Sequence, residues 1–472
     1  MVWHRRSVGQ RAGGVAPART RRTLRASLAR AGVLAIALGA LAAPATALAD
    51  SIPAVGINDI RSDGILVPDA AWNGIGDLGL AQSVGVQLYR ARMQLNCVDP
   101  AHSGAFDFTS PSPSCGGVSY DQLVGALAAR NITLLPVLIN YDALNQSPQP
   151  PTVDGAGGSP TTSEFAAFAA AAAARYGPNG TFWSTCGCVA HPIDAWEIWN
   201  EENNGFWWSG AVSPSGYASV FSVTRAALRS VDAQAVAVVG GLAFSPNGQP
   251  SFVAPRAIIQ ALAAGNANAF DAVAVHPYTR DAGESAAQLA GSALTMIDHV
   301  AKAVVAATGP APGGGPRQQI WVTEMGWSSQ AADPTTIAAG LQTFLGLLQG
   351  GARARDNVGP VLWYDLRDNS VLGTRDDQLG LRLTAANGSD AGPKPAWNVF
   401  AAAVQSGGTL AIPPALPDSR PYIAPAPKPS VAQLAAVRKA EHAKKVRARR
   451  RRQHAHGAKA HRKHASAASR RA

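Results

Sequence analysis

Two glutamates stand where hydrophobic runs of the chain break off. Glu201 follows Ile193-Asp194-Ala195-Trp196-Glu197-Ile198-Trp199-Asn200, and Glu324 closes Ile320-Trp321-Val322-Thr323. Strand interiors are depleted in Asn and Asp, so acids and amides here mark a strand's end rather than its middle. Glu201 is followed by a second acid, Glu202, and adjacent carboxylates repel unless water or a partner relieves them. Trp199, Phe206, Trp207 and Trp208 flank the pair. A solvated loop accounts for one such cluster on its own. Two separate carboxylates facing each other have a specific chemistry: one protonates a departing oxygen while the other attacks carbon or activates water, the division of roles that cleaves a glycosidic bond. That chemistry requires a fold that brings positions 201 and 324 together.

The periodicity supplies one. Short β-rich runs lie at Val55–Asn58, Val86–Arg92, Thr133–Ile139, Ile193–Trp199, Ala235–Gly240, Ala272–His276, Gln319–Thr323 and Val358–Tyr364. Amphipathic or Ala-rich helical stretches fall between them, among them Ser119–Arg130, Ser163–Tyr176, Pro214–Val231, Glu284–Thr308 and Pro334–Leu348, with a closing helix at Ala396–Gln405. Alternating β and α units predict a parallel sheet, and eight of them predict a closed (β/α)₈ TIM barrel of the α/β class with long loops. The open, doubly wound alternative wants a Gly-rich phosphate loop after the first strand, and Gly56-Ile57-Asn58-Asp59 is not one. In a barrel the site lies at the carboxyl ends of the strands. Those positions hold Asn58, Arg90 or Arg92, Asn140, Asn200-Glu201, Gly241, His276-Pro277-Tyr278, Glu324 and Trp363. Glu201 at the fourth strand and Glu324 at the seventh would face each other across the mouth.

The motifs at these ends resemble those of the clan A glycoside hydrolases. Trp196-Glu197-Ile198-Trp199-Asn200-Glu201 resembles the clan's fourth-strand acid/base motif, and Ile320-Trp321-Val322-Thr323-Glu324-Met325-Gly326-Trp327 its seventh-strand nucleophile motif. His276-Pro277-Tyr278 is similar to the sixth-strand motif, Trp363 stands where an eighth-strand tryptophan is common, and Lys394-Pro395-Ala396-Trp397 resembles the start of the last helix. Family 39 and its family 5-like neighbours are the nearest in appearance. The resemblance implies a retaining O-glycosyl hydrolase acting on an oligo- or polysaccharide, with Glu201 as acid/base and Glu324 as nucleophile. It implies substrate-binding roles for Asn200, which would hold a 2-hydroxyl, and for Arg90, His276, Tyr278, Trp363 as a sugar platform, and Trp207 at an outer subsite; Tyr278 would also bond the nucleophile and Arg90 keep it ionised. No cofactor and no metal are called for. One position departs from the pattern: the clan usually has Pro after the acid/base, and this chain has Glu202, which would raise the acid's pKa or shift the turn that aims it. A non-catalytic glycan-binding barrel, tethered by its tail, is the alternative from another functional class.

The ends of the chain set its surroundings. Residues 1–49 hold eight arginines and no acid, then an apolar stretch from Ala31 to Leu38 and Ala47-Leu48-Ala49. That order reads as a secretory signal cut before Asp50, too short and Ala/Gly-rich for a membrane anchor. The barrel occupies 50–410, a Pro-rich linker 411–430, and a Lys/Arg/His-rich tail 431–472 reads as disordered. Whole-chain charge is +11, but leader and tail mislead. From Pro425 onward there are 15 basic residues and one acid, Glu441; without these and the leader the body has 18 basic and 29 acidic residues, near −11. A like-charge tail seeks polyanions. For an exported protein these are anionic cell-envelope polymers rather than nucleic acid, which implies an extracellular, cell-wall-associated location with no membrane span once the signal is removed. The four cysteines, Cys97, Cys115, Cys186 and Cys188, are expected to staple loops as nearest neighbours, the second pair closing a very tight ring.

Overall fold

Eight strands, each followed by one helix of eight residues or more, close on themselves in the computed structural model, which describes residues 53–58, 77–112, 117–142, 147–209, 211–245, 251–369, 373–386, 388–408 and 412–417. The strands are β1 (Val55–Asn58), β2 (Leu88–Gln94), β3 (Thr133–Ile139), β4 (Ala195–Ile198), β5 (Val236–Ala243), β6 (Ala272–His276), β7 (Gln319–Met325) and β8 (Val358–Tyr364). The helices are α1 (Asp77–Val84), α2 (Tyr120–Ala128), α3 (Thr162–Tyr176), α4 (Pro214–Val231), α5 (Pro255–Ala263), α6 (Ala286–Thr308), α7 (Pro334–Leu347) and α8 (Pro395–Gln405). Every strand is parallel to its neighbours, and β8 returns to pair with β1 through Val55–Val361 and Asn58–Tyr364. This is the (β/α)₈ barrel that the alternation predicts.

Local chemistry marks where the helices begin. Ser119 with Gln122, Thr161 with Glu164 and Ser285 with Gln288 form reciprocal capping boxes at α2, α3 and α6. Ser213 and Asp333 cap α4 and α7, each followed by Pro at the first helical position, where its missing N–H costs nothing. α1 and α5 fall outside the stretches read from sequence; they are short, at eight and nine residues, so periodicity has little length over which to show.

The strands alternate between two environments. Leu88, Leu135, Ala195, Val236, Val238, Ala272, Ala274, Trp321 and Leu362 point inward and fill the lower half of the barrel. Their neighbours, such as Tyr89, Trp196, Val239, Val273, Val322 and Trp363, belong to the layer shared with the helices. Ile412 and Ala415, beyond α8, pack against the interior cluster. Leu416 bonds Asp271, the residue before β6, and its carbonyl accepts from Arg225 and Arg229, so this segment closes the barrel at the amino ends of the strands. The opposite, carboxyl end is free for a site.

Candidate active site

The site is built on Arg90, an inward-facing β2 residue with no exposed surface. Its Nε and Nη2 donate to Glu197 at 2.7 and 2.8 Å, Nη1 donates to Glu324 at 2.6 Å, and Nη2 also reaches Asn200 Oδ1 at 2.9 Å. A planar guanidinium is the side chain that can hold two carboxylates and an amide in one plane. Glu197 on β4, further fixed by Thr323 Oγ1 at 3.3 Å, supplies the fixed counter-charge. Arg90 therefore spans the barrel from β4 to β7 and sets where Glu324 points.

Glu324 has the environment of a carboxylate kept ionised. Burial opposes its charge, but His276, the Arg90 cation, and hydrogen bonds from Arg90 and Tyr278 outweigh it and hold the pKa down to about 2. Tyr278 donates to Oε2 at 3.0 Å, and burial pushes its own phenol well above the ordinary range, so it stays a donor. The carboxyl keeps only 11 % side-chain exposure, at the mouth. His276 stands between the two glutamates, with Nδ1 3.1 Å from Glu201 Oε1 and 3.6 Å from Glu324 Oε2, and Nε2 3.2 Å from Thr323 Oγ1. The ring lies on Gly241 of β5: a Cβ there would fall 1.8 Å from His276 Nε2, so position 241 tolerates no side chain.

Glu201 lies on the turn that leaves β4. Its Oε2 accepts from Asn204 Nδ2 at 2.8 Å, and its side chain is 14 % exposed to the cleft. Trp199 and Glu201 both take positive φ, 74° and 46°. Such residues cost of order 1–3 kcal/mol each and persist only where the surroundings over-determine them. Here the Trp199 side chain is pinned by Phe165, Trp208 and the Trp207 carbonyl, and the Glu201 carbonyl by the Asn204 N–H. A proline at 202 would push residue 201 toward extended backbone. The Glu at that position leaves Glu201 free to take the left-handed turn.

Glu202 itself is not in the cleft. Its side chain is fully buried against Gly240 of β5, where an added Cβ would meet Glu202 Oε2 at 2.4 Å, and neither oxygen has a hydrogen-bond partner. Burial, with Glu197 and Glu201 nearby, raises its pKa well above the ordinary 4.5. The folded protein thus holds a proton on Glu202 that the unfolded chain releases above about pH 4.5, so the stability it contributes is present below that value and is lost as pH rises toward the folded pKa. Glu202→Gln should remove that slope. In calorimetric scans its Tm should match wild type near pH 4 and exceed it by roughly 2–4 °C at pH 8. A variant less stable than wild type at pH 8 would show that Glu202 is charged and partnered.

The remaining candidates divide. Asn200 is brought to the site, its Oδ1 taken by Arg90, which leaves its amide N–H groups for a ligand. His276 ends β6, but Arg90 lies inside β2, and exposures of 1 % and 0 % leave neither a surface for a sugar; both face the carboxylates instead. Trp363 is not a platform. It is 2 % exposed, faces the helix layer edge-on to Trp327, and donates its indole N–H to the Leu379 carbonyl. Strand parity is the reason, because Leu362 points inward and its neighbour must point outward. The half-buried aromatic at the end of β8 is Tyr364, one residue on, which shares the inward parity of Leu362. In the loop after Glu201, Phe206 is exposed and Trp207 half-buried at the rim, whereas Trp208 is packed on Trp199 and Tyr217 in the core. Asn140 is tied to Asn96 and Gln149, and Asn58 is buried at the level of Arg90 without a partner for its amide.

Glu201, His276 and Glu324 offer ligand atoms within 4.8 Å of one another, close enough to surround a cation. However, Arg90 already places a positive charge 2.6 Å from Glu324 and Tyr278 occupies its other oxygen, so the trio suits paired-carboxylate chemistry better than metal binding. Away from the site, Cys186 and Cys188 are joined, as nearest-neighbour pairing expects. Cys115, the expected partner of Cys97, lies outside the described residues, as do the leader and the basic tail.

No protein-family model and no curated protein matches the chain. Solved structures of similar fold do exist. A family 39 glycoside hydrolase from Bacteroides cellulosilyticus WH2 aligns at TM-score 0.51 and 19 % identity over 76 % of this chain, which spans 64 % of that protein's length. A glucosidase from Croceicoccus marinus aligns at TM-score 0.51 and 13 % identity, over 76 % of this chain and 68 % of that one. The β-glycosidase BGL167 aligns at TM-score 0.50 and 13 % identity, over 78 % and 99 %. At these identities the likeness establishes the fold: the chain is a (β/α)₈ barrel of the architecture these glycosidases share.

Proposed function

We propose that this protein is a retaining glycoside hydrolase. Glu324 attacks the anomeric carbon while Glu201 gives its proton to the departing glycosidic oxygen. Glu201, now a base, then takes a proton from water, which attacks the same carbon and returns Glu324 as a carboxylate. The observation that carries this reading is the pairing of the two glutamates, with oxygens within 4.8 Å, one clamped ionised by Arg90 and Tyr278 and the other on a hydrogen-bonded turn. Retaining enzymes hold their carboxyls about 5–5.5 Å apart, whereas inversion needs about 6.5–9.5 Å to seat a water. Asn200, fixed by Arg90, grips a hydroxyl beside the reacting carbon as charge develops there, a role its bond to Arg90 supports. The fold shared with glycosidases supports this reading by analogy. The test is to hydrolyse a panel of aryl glycosides and polysaccharides and follow the first-formed anomer by NMR. Retained configuration is expected; inversion, or no turnover across the panel, would overturn the proposal.

We further infer that the protein is exported and works on an extracellular glycan, its basic tail resting on an anionic envelope polymer. The basic leader with its A-x-A site and the 15 Lys and Arg after Ala424 support this. The tail and the acidic body attract, but that attraction is screened within about 8–10 Å at physiological salt. Removal of residues after Ala424 leaves the Ile412–Pro417 segment in place. It should not change turnover of a small glycoside and should abolish salt-sensitive retention on anionic cell-wall material. Retention that survives the deletion, or persists in high salt, would place the attachment elsewhere.

A further inference from the structure

Two residues beyond Arg90 on β2 stands a second arginine that the reaction as described does not use. Residues two apart on a strand share a face, so Arg92 points into the barrel about 6–7 Å nearer the carboxyl-end mouth than Arg90. Its guanidinium lies over two aromatic rings of the cleft, 5.4 Å from the centre of Tyr141 and 4.8 Å from that of Trp207. The charges it feels most are those of Tyr364, Glu324, Tyr141 and Arg90, groups of the same cleft. Nε and Nη1 are shut off from water, and neither has an acceptor. Among the described residues no carboxylate pairs with it.

That arrangement is unusual for a structural arginine. A guanidinium withdrawn from water is costly unless it is paired and hydrogen-bonded. Two aromatic faces compensate only part of the loss, since they offer no hydrogen-bond acceptor. Glu324 does not supply the missing partner: its bonds are to Arg90 and Tyr278, and none joins it to Arg92. Arg92 is nevertheless only half-buried, and Nη2 is not among its shut-off nitrogens, so its charge faces whatever enters the cleft. Other polar groups nearby differ: Asn140 is bonded to Asn96 and Gln149, and Glu202 is turned away behind β5.

We propose that Arg92 is the substrate-recognising cation of this cleft, and that the glycan carries an oxyanion substituent on the sugar that binds beside Glu324. A guanidinium lying over two aromatic rings keeps its N–H edge for an oxyanion, so a uronic acid carboxylate fits it, while a sulfate ester offers the same acceptor chemistry. Trp207 and Tyr141 then serve twice, holding the guanidinium and presenting apolar edges to the ring of the sugar. This names the substrate class for the hydrolase reading above and rests on it only for turnover, since binding can be measured without chemistry.

The experiment uses matched ligands. Oligogalacturonate and oligoglucuronate are titrated into the wild-type protein beside the same oligosaccharides with every carboxyl reduced to hydroxymethyl, and beside sulfated neutral oligosaccharides, with Trp fluorescence as readout. At least one acidic series should bind roughly 30-fold or more tightly than its neutral match, with an affinity that falls as salt rises. Arg92→Met should erase that preference while leaving the neutral ligands within a few-fold, and Arg92→Lys, which keeps the charge but not the fork, should fall between. The uronate and sulfate arms identify which oxyanion is read. Equal binding of acidic and neutral series by the wild type, which involves no mutant and no folding question, would overturn the proposal. So would an acidic preference that survives in a folded Arg92→Met. Acidic binding without turnover of any glycoside would leave Arg92 as the anion site and sink the hydrolase reading instead; turnover confined to neutral glycosides would do the reverse.

Discussion

Glu324→Gln is expected to lose activity on every substrate, by on the order of 10⁴-fold or more, whatever the leaving group. The side chain keeps its size and its contacts with Arg90 and Tyr278, so folding should be intact. What disappears is the anion that, in the proposed mechanism, forms the covalent bond to the anomeric carbon. The loss should appear in kcat with substrate binding little changed, because the interaction removed exists only on the way to the intermediate. The same clamp predicts the acid side of the wild-type behaviour. A carboxylate held at about pKa 2, below its ordinary 4.5, contributes stability that is fully present above the ordinary value and is lost as pH falls through about 2. The acidic limb of the rate profile should therefore not report Glu324. A variant with residual turnover near wild type, measured on a dinitrophenyl glycoside, would remove Glu324 from the reaction.

Glu201→Ala should separate substrates that Glu324→Gln cannot. Cleavage of a sugar–sugar bond needs the departing oxygen protonated, and its rate should fall by about 10²–10⁴-fold. A dinitrophenyl leaving group needs no proton, so its departure should survive and the glycosyl-enzyme should accumulate, because no base remains to activate water. Azide requires no deprotonation and fits the space the side chain vacates. Adding it should restore turnover of the activated substrate and yield a glycosyl azide of retained configuration. Equal losses on both substrates, or an azide product of inverted configuration, would rule out the acid/base role. Asn204 and His276, which hold Glu201 at 2.8 and 3.1 Å, should show a weaker form of the same pattern when replaced.

Much of this was legible without coordinates. The alternation of strand and helix runs, and the caps Ser119, Thr161, Ser213, Ser285 and Asp333, are local signals, and local signals determined the (β/α)₈ barrel to within a residue or two at most element ends. The barrel rule then pointed to strand carboxyl ends, which placed Glu201, Glu324, Asn200 and Tyr278 on the list from spacing alone. What spacing cannot report is which way a side chain points or what meets it from a distant strand. Trp363 and Tyr364 are adjacent in sequence, and only the pairing of β8 with β1 and β7 decided that the first faces the helices. Glu202 stands next to Glu201 in the chain, yet the left-handed turn at 201 sends one carboxylate into the cleft and the other behind β5. Arg90 and Arg92 look equivalent as alternate residues of one strand. The tertiary structure alone distinguished them, giving Arg90 two carboxylates from β4 and β7 and giving Arg92 two aromatic rings and no anion, because partners distant in sequence converge only when the barrel closes.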